Sequence, residues 1–237
     1  MTFNRPDFTY ALALRTGLHG ADSLFTQQFD GLFESQQWQA AVNVVKRAPP
    51  GCLRTDETLK RFTAASATFG ASPQSPLAIY LSALTDDGGQ LITPAESIAL
   101  AGLFIEMQNT PAIESYLKQK QFRECVELAD FLQQNNLERL AFQVYANAGK
   151  HEKAVAWLIT QNQYTIIPQY RQKFPDYTPD YPSIIQQAAT QALASPNSVD
   201  ALAAVVQFAL SLTQGMSPDT DADTILDISE VFQSLNR

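Results

Sequence analysis

A short pattern recurs three times in this chain and leaves few folds open to it: a polar turn, a ring, two spacer residues, then a small residue followed by Val. It reads Trp38-Gln39-Ala40-Ala41-Val42, Phe122-Arg123-Glu124-Cys125-Val126 and, with imidazole as the ring, His151-Glu152-Lys153-Ala154-Val155. On a helix these spacings put the ring and the small-Val pair on one face. That face can be buried only against another helix. Short helices that reuse one packing device predict a solenoid, in which each helical hairpin touches mainly its neighbours and the surface is the working part.

Composition agrees and removes several function classes. A chain of 237 residues fits one domain or two, and a stacked array escapes the size limit of a single core. With 45% hydrophobic residues, 10 glycines and 13 prolines, the chain is neither disordered nor rich enough in turns for an all-β protein. The net charge of -8 lacks the basic footprint of a nucleic-acid binder. Local basic clusters at Lys46-Arg47, at Arg54 with Lys60-Arg61, and from Lys118 to Arg123 read as solvated helix faces and as last turns that complement the helix dipole. The longest apolar stretch, Ile98 to Ile105, is far too short to span a bilayer, and Met1 to Pro6 holds no apolar segment of a secretory signal. Two cysteines, Cys52 and Cys125, cannot build a disulfide framework, so a reducing, cytosolic compartment is expected.

Punctuation along the chain predicts about fourteen helices and no strand. Pro6-Asp7 opens a first helix that ends near Gly17 and Gly20, and Ala21 to Phe33 carries a heavy aromatic stripe in Phe25, Phe29 and Phe33. Trp38 to Lys46 is stopped by Pro49-Pro50-Gly51. Thr55 reads as an N-cap before acidic Asp56-Glu57, and Ser66 to Ser75 as a loop. Ser75-Pro76 opens a helix closed by Asp86-Asp87-Gly88-Gly89, and Thr93-Pro94-Ala95-Glu96 opens the next with a capping box. Helices at 112–118, 122–133, 137–148, 151–160 and 164–174 follow at breaks of about two to four residues, which forces antiparallel hairpins. After a Pro-Tyr-rich break, 184–193, 199–212 and 224–235 complete the array.

Catalytic chemistry is sparse. His19 and His151 are the only near-neutral acid-base side chains, and no nucleophile elbow, Walker loop, dinucleotide fingerprint, Cys-x-x-Cys pair or His-Glu-x-x-His helix is present. His151 fills the ring slot and Cys125 the small slot of the repeated pattern, so both read as packing residues. The string from Asp219 to Glu230 places carboxylates where an EF-hand loop needs several of its ligands. Its sixth position is Thr224, a β-branched residue that resists the positive φ required there. Asp221 and Asp223 therefore read as an acidic first turn of the last helix, with calcium as the minor reading. No catalytic, cofactor-binding, metal or interaction residue is assigned, and no cofactor is expected.

An ordered series of strings resembles the clathrin heavy chain. It runs Asn4-Arg5-Pro6-Asp7, Gly20-Ala21-Asp22-Ser23-Leu24-Phe25, then Ala48-Pro49-Pro50-Gly51-Cys52-Leu53-Arg54-Thr55 with Arg61-Phe62. It continues through Ser75-Pro76-Leu77, Gly89-Gln90-Leu91, Glu124-Cys125, Leu140-Ala141 with Val144-Tyr145, and Tyr177-Thr178-Pro179-Asp180. The resemblance covers residues 3 to 181 well and the last quarter only in pattern. Two departures are Ser35-Gln36-Gln37-Trp38 in place of a Gly-Asn-Tyr-type turn, and the Gln, Ala and Ser-rich stretch from Ile184.

The resemblance implies an all-α, right-handed α-solenoid of short antiparallel hairpins, with residues 1–109 as a helical linker continuous with distal-leg repeats at 110–237. It implies a structural segment of a vesicle coat in intracellular protein transport and endocytosis, cytoplasmic and peripheral on coated vesicles and coated pits. Partners would be other heavy-chain legs and adaptor proteins, with no nucleic acid and membrane contact only through adaptors. Because the family's chains are several times longer, this sequence reads as a fragment, an excised segment or a split gene product, monomeric in isolation. The other reading of the residues is a helical-repeat module of a tethering or sorting complex that holds a peptide or partner helix.

Overall fold

The same three-residue turn closes helix after helix in this protein. In the computed structural model, residues 21–70, 72–86, 92–194, 197–216 and 221–235 are described. Gln36, Gln108, Lys120, Asn136, Gly149 and Asn162 all adopt a positive φ, between 54° and 72°. At each, two backbone bonds finish the helix: Asn136 N–H donates to Gln133 O and Leu137 N–H to Leu132 O, for example, and Gly149 and Lys150 repeat the pattern on Ala146 and Tyr145. This is the Schellman arrangement, which pairs carbonyls that a helix end leaves orphaned. At four of the six the next residue, Gln37, Asn109, Leu137 or Lys150, is already the N-cap of the following helix. The shortest connections are thus turns of fixed geometry.

Thirteen helices occur among the described residues, and no strand. The first seven are α1 (Ala21–Glu34), α2 (Trp38–Arg47), α3 (Asp56–Ser66), α4 (Pro76–Asp86), α5 (Pro94–Glu106), α6 (Thr110–Lys118) and α7 (Val126–Gln134). The rest are α8 (Glu138–Asn147), α9 (His151–Thr160), α10 (Ile166–Lys173), α11 (Tyr181–Ala194), α12 (Ser198–Gln214) and α13 (Ala222–Leu235). The helix expected from Pro6 and the break at Asp87-Gly88-Gly89 lie outside the described residues. None of the described helices is long and apolar enough to cross a membrane.

The chain divides into two compact units, residues 1–131 and 132–237. In the first, α1 packs on α2, α3 on α4, α4 on both α2 and α5, and α5 on α6. In the second, α8 packs on α9, α9 on α10 and α11, and α11 on α12 and α13. The main packings therefore join consecutive or next-but-one helices, which is the short-range pattern of a helical solenoid.

Two of the three repeated openings behave as expected. Trp38 begins α2 with Ala41 and Val42 fully buried, and His151 begins α9 with Ala154 and Val155 buried. The copy at Phe122 does not: α7 starts only at Val126, and residues 122–125 form an irregular connection. A distant bond holds it open. Arg123 N–H donates to the buried Ser97 Oγ at 3.0 Å, while the Phe122 ring lies 5.7 Å from that of Tyr116. Cys125 accordingly sits half-buried ahead of the helix. The loop expected at 66–75 is present between the end of α3 at Ser66 and the start of α4 at Pro76, and Ser66 Oγ accepts from Leu77 N–H at 2.7 Å, tying the two ends of the connection.

A side chain at positive φ is strained by about 1 kcal/mol, and glycine relieves it. Asn136→Gly and Lys120→Gly are each expected to raise stability by about 0.5 kcal/mol after the entropy cost of glycine is set against the relief. Gly149→Ala is expected to lower it by about 1 kcal/mol. Urea unfolding of the three variants measures both signs.

Candidate functional site

The structurally decisive site of the first unit is a buried carboxylate. Glu96 is the third residue of α5, where its N–H bonds Thr93 Oγ1 at 3.2 Å and its Oε2 accepts from Thr93 N–H at 2.7 Å. This is the expected capping box. The same carboxylate also takes a two-pronged bond from Arg54, with Nε to Oε1 at 3.1 Å and Nη2 to Oε2 at 2.7 Å, and accepts from Tyr80 OH at 2.9 Å. Glu96 is only 2% exposed. Burial pushes its carboxyl upward, but the bonds from Arg54, Thr93 and Tyr80 outweigh this and hold it below the usual carboxylate range. Burial, then the adjacent Glu96 charge, push the Tyr80 hydroxyl far above the ordinary phenol value. It stays a donor at any physiological pH.

Tyr80 also faces the aromatic core. Its ring stacks on Phe62 at 4.6 Å, and Phe62 meets Phe29 at 6.1 Å and Phe33 at 5.2 Å, with Trp38 5.0 Å beyond Phe33. The Arg61 guanidinium lies 4.8 Å from the Phe29 centroid and 4.6 Å from that of Phe33, and bonds Asp30 Oδ1 at 2.6 Å. Arg54 and Arg61 were expected on solvated faces. Both are instead built into the packing, because a guanidinium satisfies a buried carboxylate or covers a ring face where a lysine cannot.

In the second unit His151 sits in the ring slot as expected. Its Nδ1 lies 2.7 Å from Tyr170 OH, and its ring is 5.2 Å from Phe174 and 5.0 Å from Tyr177. Burial, with Tyr177 nearby, raises the Tyr170 hydroxyl well above its ordinary value. His19 lies outside the described residues. Burial raises the thiols of both Cys52 and Cys125, which keeps them protonated and poorly nucleophilic. From Ala222 onward the acidic string is helical, with Asp223 in the first turn of α13 and Ile225 N–H bonded to Asp221 O. An EF-hand loop is not helical there, and the described residues hold no cluster of three metal-ligating side chains.

The Arg54, Tyr80 and Glu96 constellation, set on the Pro-Pro-Gly-Cys-Leu-Arg-Thr string and on two helices after it, falls in the region matched by the Clathrin-H-link family model, residues 17–84, except for Glu96. Curated relatives extend the match over most of the chain. Clathrin heavy chain 2 of Homo sapiens is 30% identical over 223 residues, 94% of this chain. The chain belongs to the clathrin heavy chain family. The Drosophila melanogaster clathrin heavy chain is 31% identical over 176 residues, 74% of this chain, and clathrin heavy chain 1 of Arabidopsis thaliana 28% over 227 residues, 95% of it. The match therefore runs beyond the strings at residues 3 to 181 into the Gln and Ala-rich final quarter. The chain spans only 10% to 13% of the length of these heavy-chain relatives.

Removing the buried charge should expose how much the site holds. Glu96→Gln removes the buried carboxylate charge that takes the two-pronged bond from Arg54 and is expected to cost about 3 kcal/mol at neutral pH. Because the Glu96 pKa lies below its unfolded value, its stabilisation is complete above the carboxylate range and is lost as pH falls through the folded pKa. Urea midpoints between about pH 6 and pH 3 should therefore fall more steeply in the wild type than in Glu96→Gln; parallel slopes would contradict this assignment.

Proposed function

We propose that this chain is a structural segment of a clathrin-type coat, contributing reach and stiffness to a heavy-chain leg in vesicle-mediated transport and endocytosis. The observation that carries the reading is the short-range packing of helices, in which the main packings join consecutive or next-but-one helices within each unit, in a chain whose relatives are clathrin heavy chains. Such packing passes a bending load from helix to neighbouring helix within each unit. Weak lateral contacts between legs then gain strength by multivalency once a lattice forms. On this reading residues 1–109 are a linker and 110–237 the first leg repeats. The partners are neighbouring heavy-chain legs, with adaptors as a second class, and the place of action is the cytoplasmic face of coated membranes. No catalytic step is part of the reading.

The test is a graft. The corresponding segment of a clathrin heavy chain is replaced with residues 1–237, and the hybrid is assembled into coats beside the parent. The hybrid is expected to trimerise and to form coats of parental size by electron microscopy. A hybrid that folds and trimerises but forms no coats sinks the proposal.

A further inference from the structure

In the second unit a hollow opens along the α8–α9 hairpin. Ala141 and Ala156 form the floor, and the hollow holds about 400 Å³, within the range of roughly 300–1,000 Å³ that ligand sites occupy. Phe142 and Trp157 rise beside the floor, half-buried and stacked with ring centroids 4.8 Å apart. The indole is locked: Trp157 Nε1 donates to Glu138 Oε2 at 3.1 Å, and Gln161 Nε2 donates to the same oxygen at 3.2 Å. Both bonds end on Oε2, so the exposed carboxylate keeps Oε1 for a further donor. At the opposite end Lys153 is exposed, with its Nζ 4.9 Å from the Tyr145 centroid, and Tyr145 OH donates to Gln133 Oε1 at 2.9 Å.

The hollow is thus a fixed aromatic platform with a negative and a positive end. Glu138 opens α8 and Tyr145 lies two turns on, so the ends are about 10 Å apart, the span of about three residues of extended chain. We propose that this hollow binds a linear peptide segment carrying a basic and an acidic residue three positions apart, with an apolar side chain between them. The basic group pairs with Glu138 at the edge of Trp157, where charge and ring face act together. The acidic group meets Lys153 at the N-terminal end of α9, where the helix dipole adds to the attraction. The apolar side chain fills the space above Ala141 and Ala156 against rigid rings, the kind of anchor that carries most binding energy in small interfaces. A doubly acidic or doubly basic segment meets one like charge and is rejected. The inference is independent of the coat proposal.

The probe is the capped hexapeptide Gly-Arg-Pro-Leu-Asp-Gly, titrated into the full chain while tryptophan emission is followed. Peptides with Asp in place of Arg, or Arg in place of Asp, are the controls. The mixed-charge peptide should saturate the signal and bind at least about tenfold more tightly than either control. In Lys153→Glu, which leaves the Trp157 lock untouched, preference should pass to the doubly basic peptide. In Glu138→Arg it should pass to the doubly acidic one. Ala156→Leu should abolish binding while thermal unfolding shows an intact fold. No saturable change below about 1 mM, equal binding of all three peptides, or an unaltered preference in both charge variants overturns the proposal.

Discussion

A helix of nine or ten residues, the length of α2, α6, α8 and α9, leaves almost as many backbone groups unpaired at its ends as it pairs inside, and does not persist alone in water. Everything else in this protein answers that constraint. The positive-φ turns pair the last carbonyls within three residues, and at Gln36, Gln108, Asn136 and Gly149 they start the next helix at once. The apolar faces then supply the stability that isolated helices lack, with residues such as Leu132, Val144, Leu158 and Ile167 fully buried.

Tyr80 is where two kinds of interaction meet in the first unit. Its ring belongs to the stack of Phe62, Phe29 and Phe33, and its hydroxyl to the Glu96 carboxylate that Arg54 neutralises. The polar network orients the ring and the ring shields the network from water, which strengthens each of its bonds. The second unit has no buried ion pair of this kind among its described residues. Its joint is His151 against Tyr170, Phe174 and Tyr177, an aromatic cluster.

Local chemistry was legible in the sequence, and long-range pairing was not. Thr55, Thr93 and Pro94 announced helix starts because a cap is read from neighbours a few residues apart, and the structure places caps there. His151 and Trp38 declared their packing role through spacing alone. Phe122 misled because its segment is shaped by Ser97, which lies 26 residues away in the chain. Arg54 looked solvated because its partner lies 42 residues on. The capping box did reveal Glu96, but a cap uses only part of a carboxylate, and nothing nearby in the chain showed what the remainder would bind. The groove at Trp157 was hidden for a related reason: two alanines signal close helix packing in a sequence and a vacancy above them only in three dimensions.

The positive-φ residues also set a pace. From Gln108 to Lys120 is 12 residues, to Asn136 a further 16, and then 13 each to Gly149 and Asn162. Each pace closes its own helix end with its own hydrogen bonds. A gene encoding such a chain can therefore gain or lose whole paces with damage confined to one seam, whereas a deletion of a few residues within a pace rotates every later helix about its axis. Length in this architecture is inherited in steps.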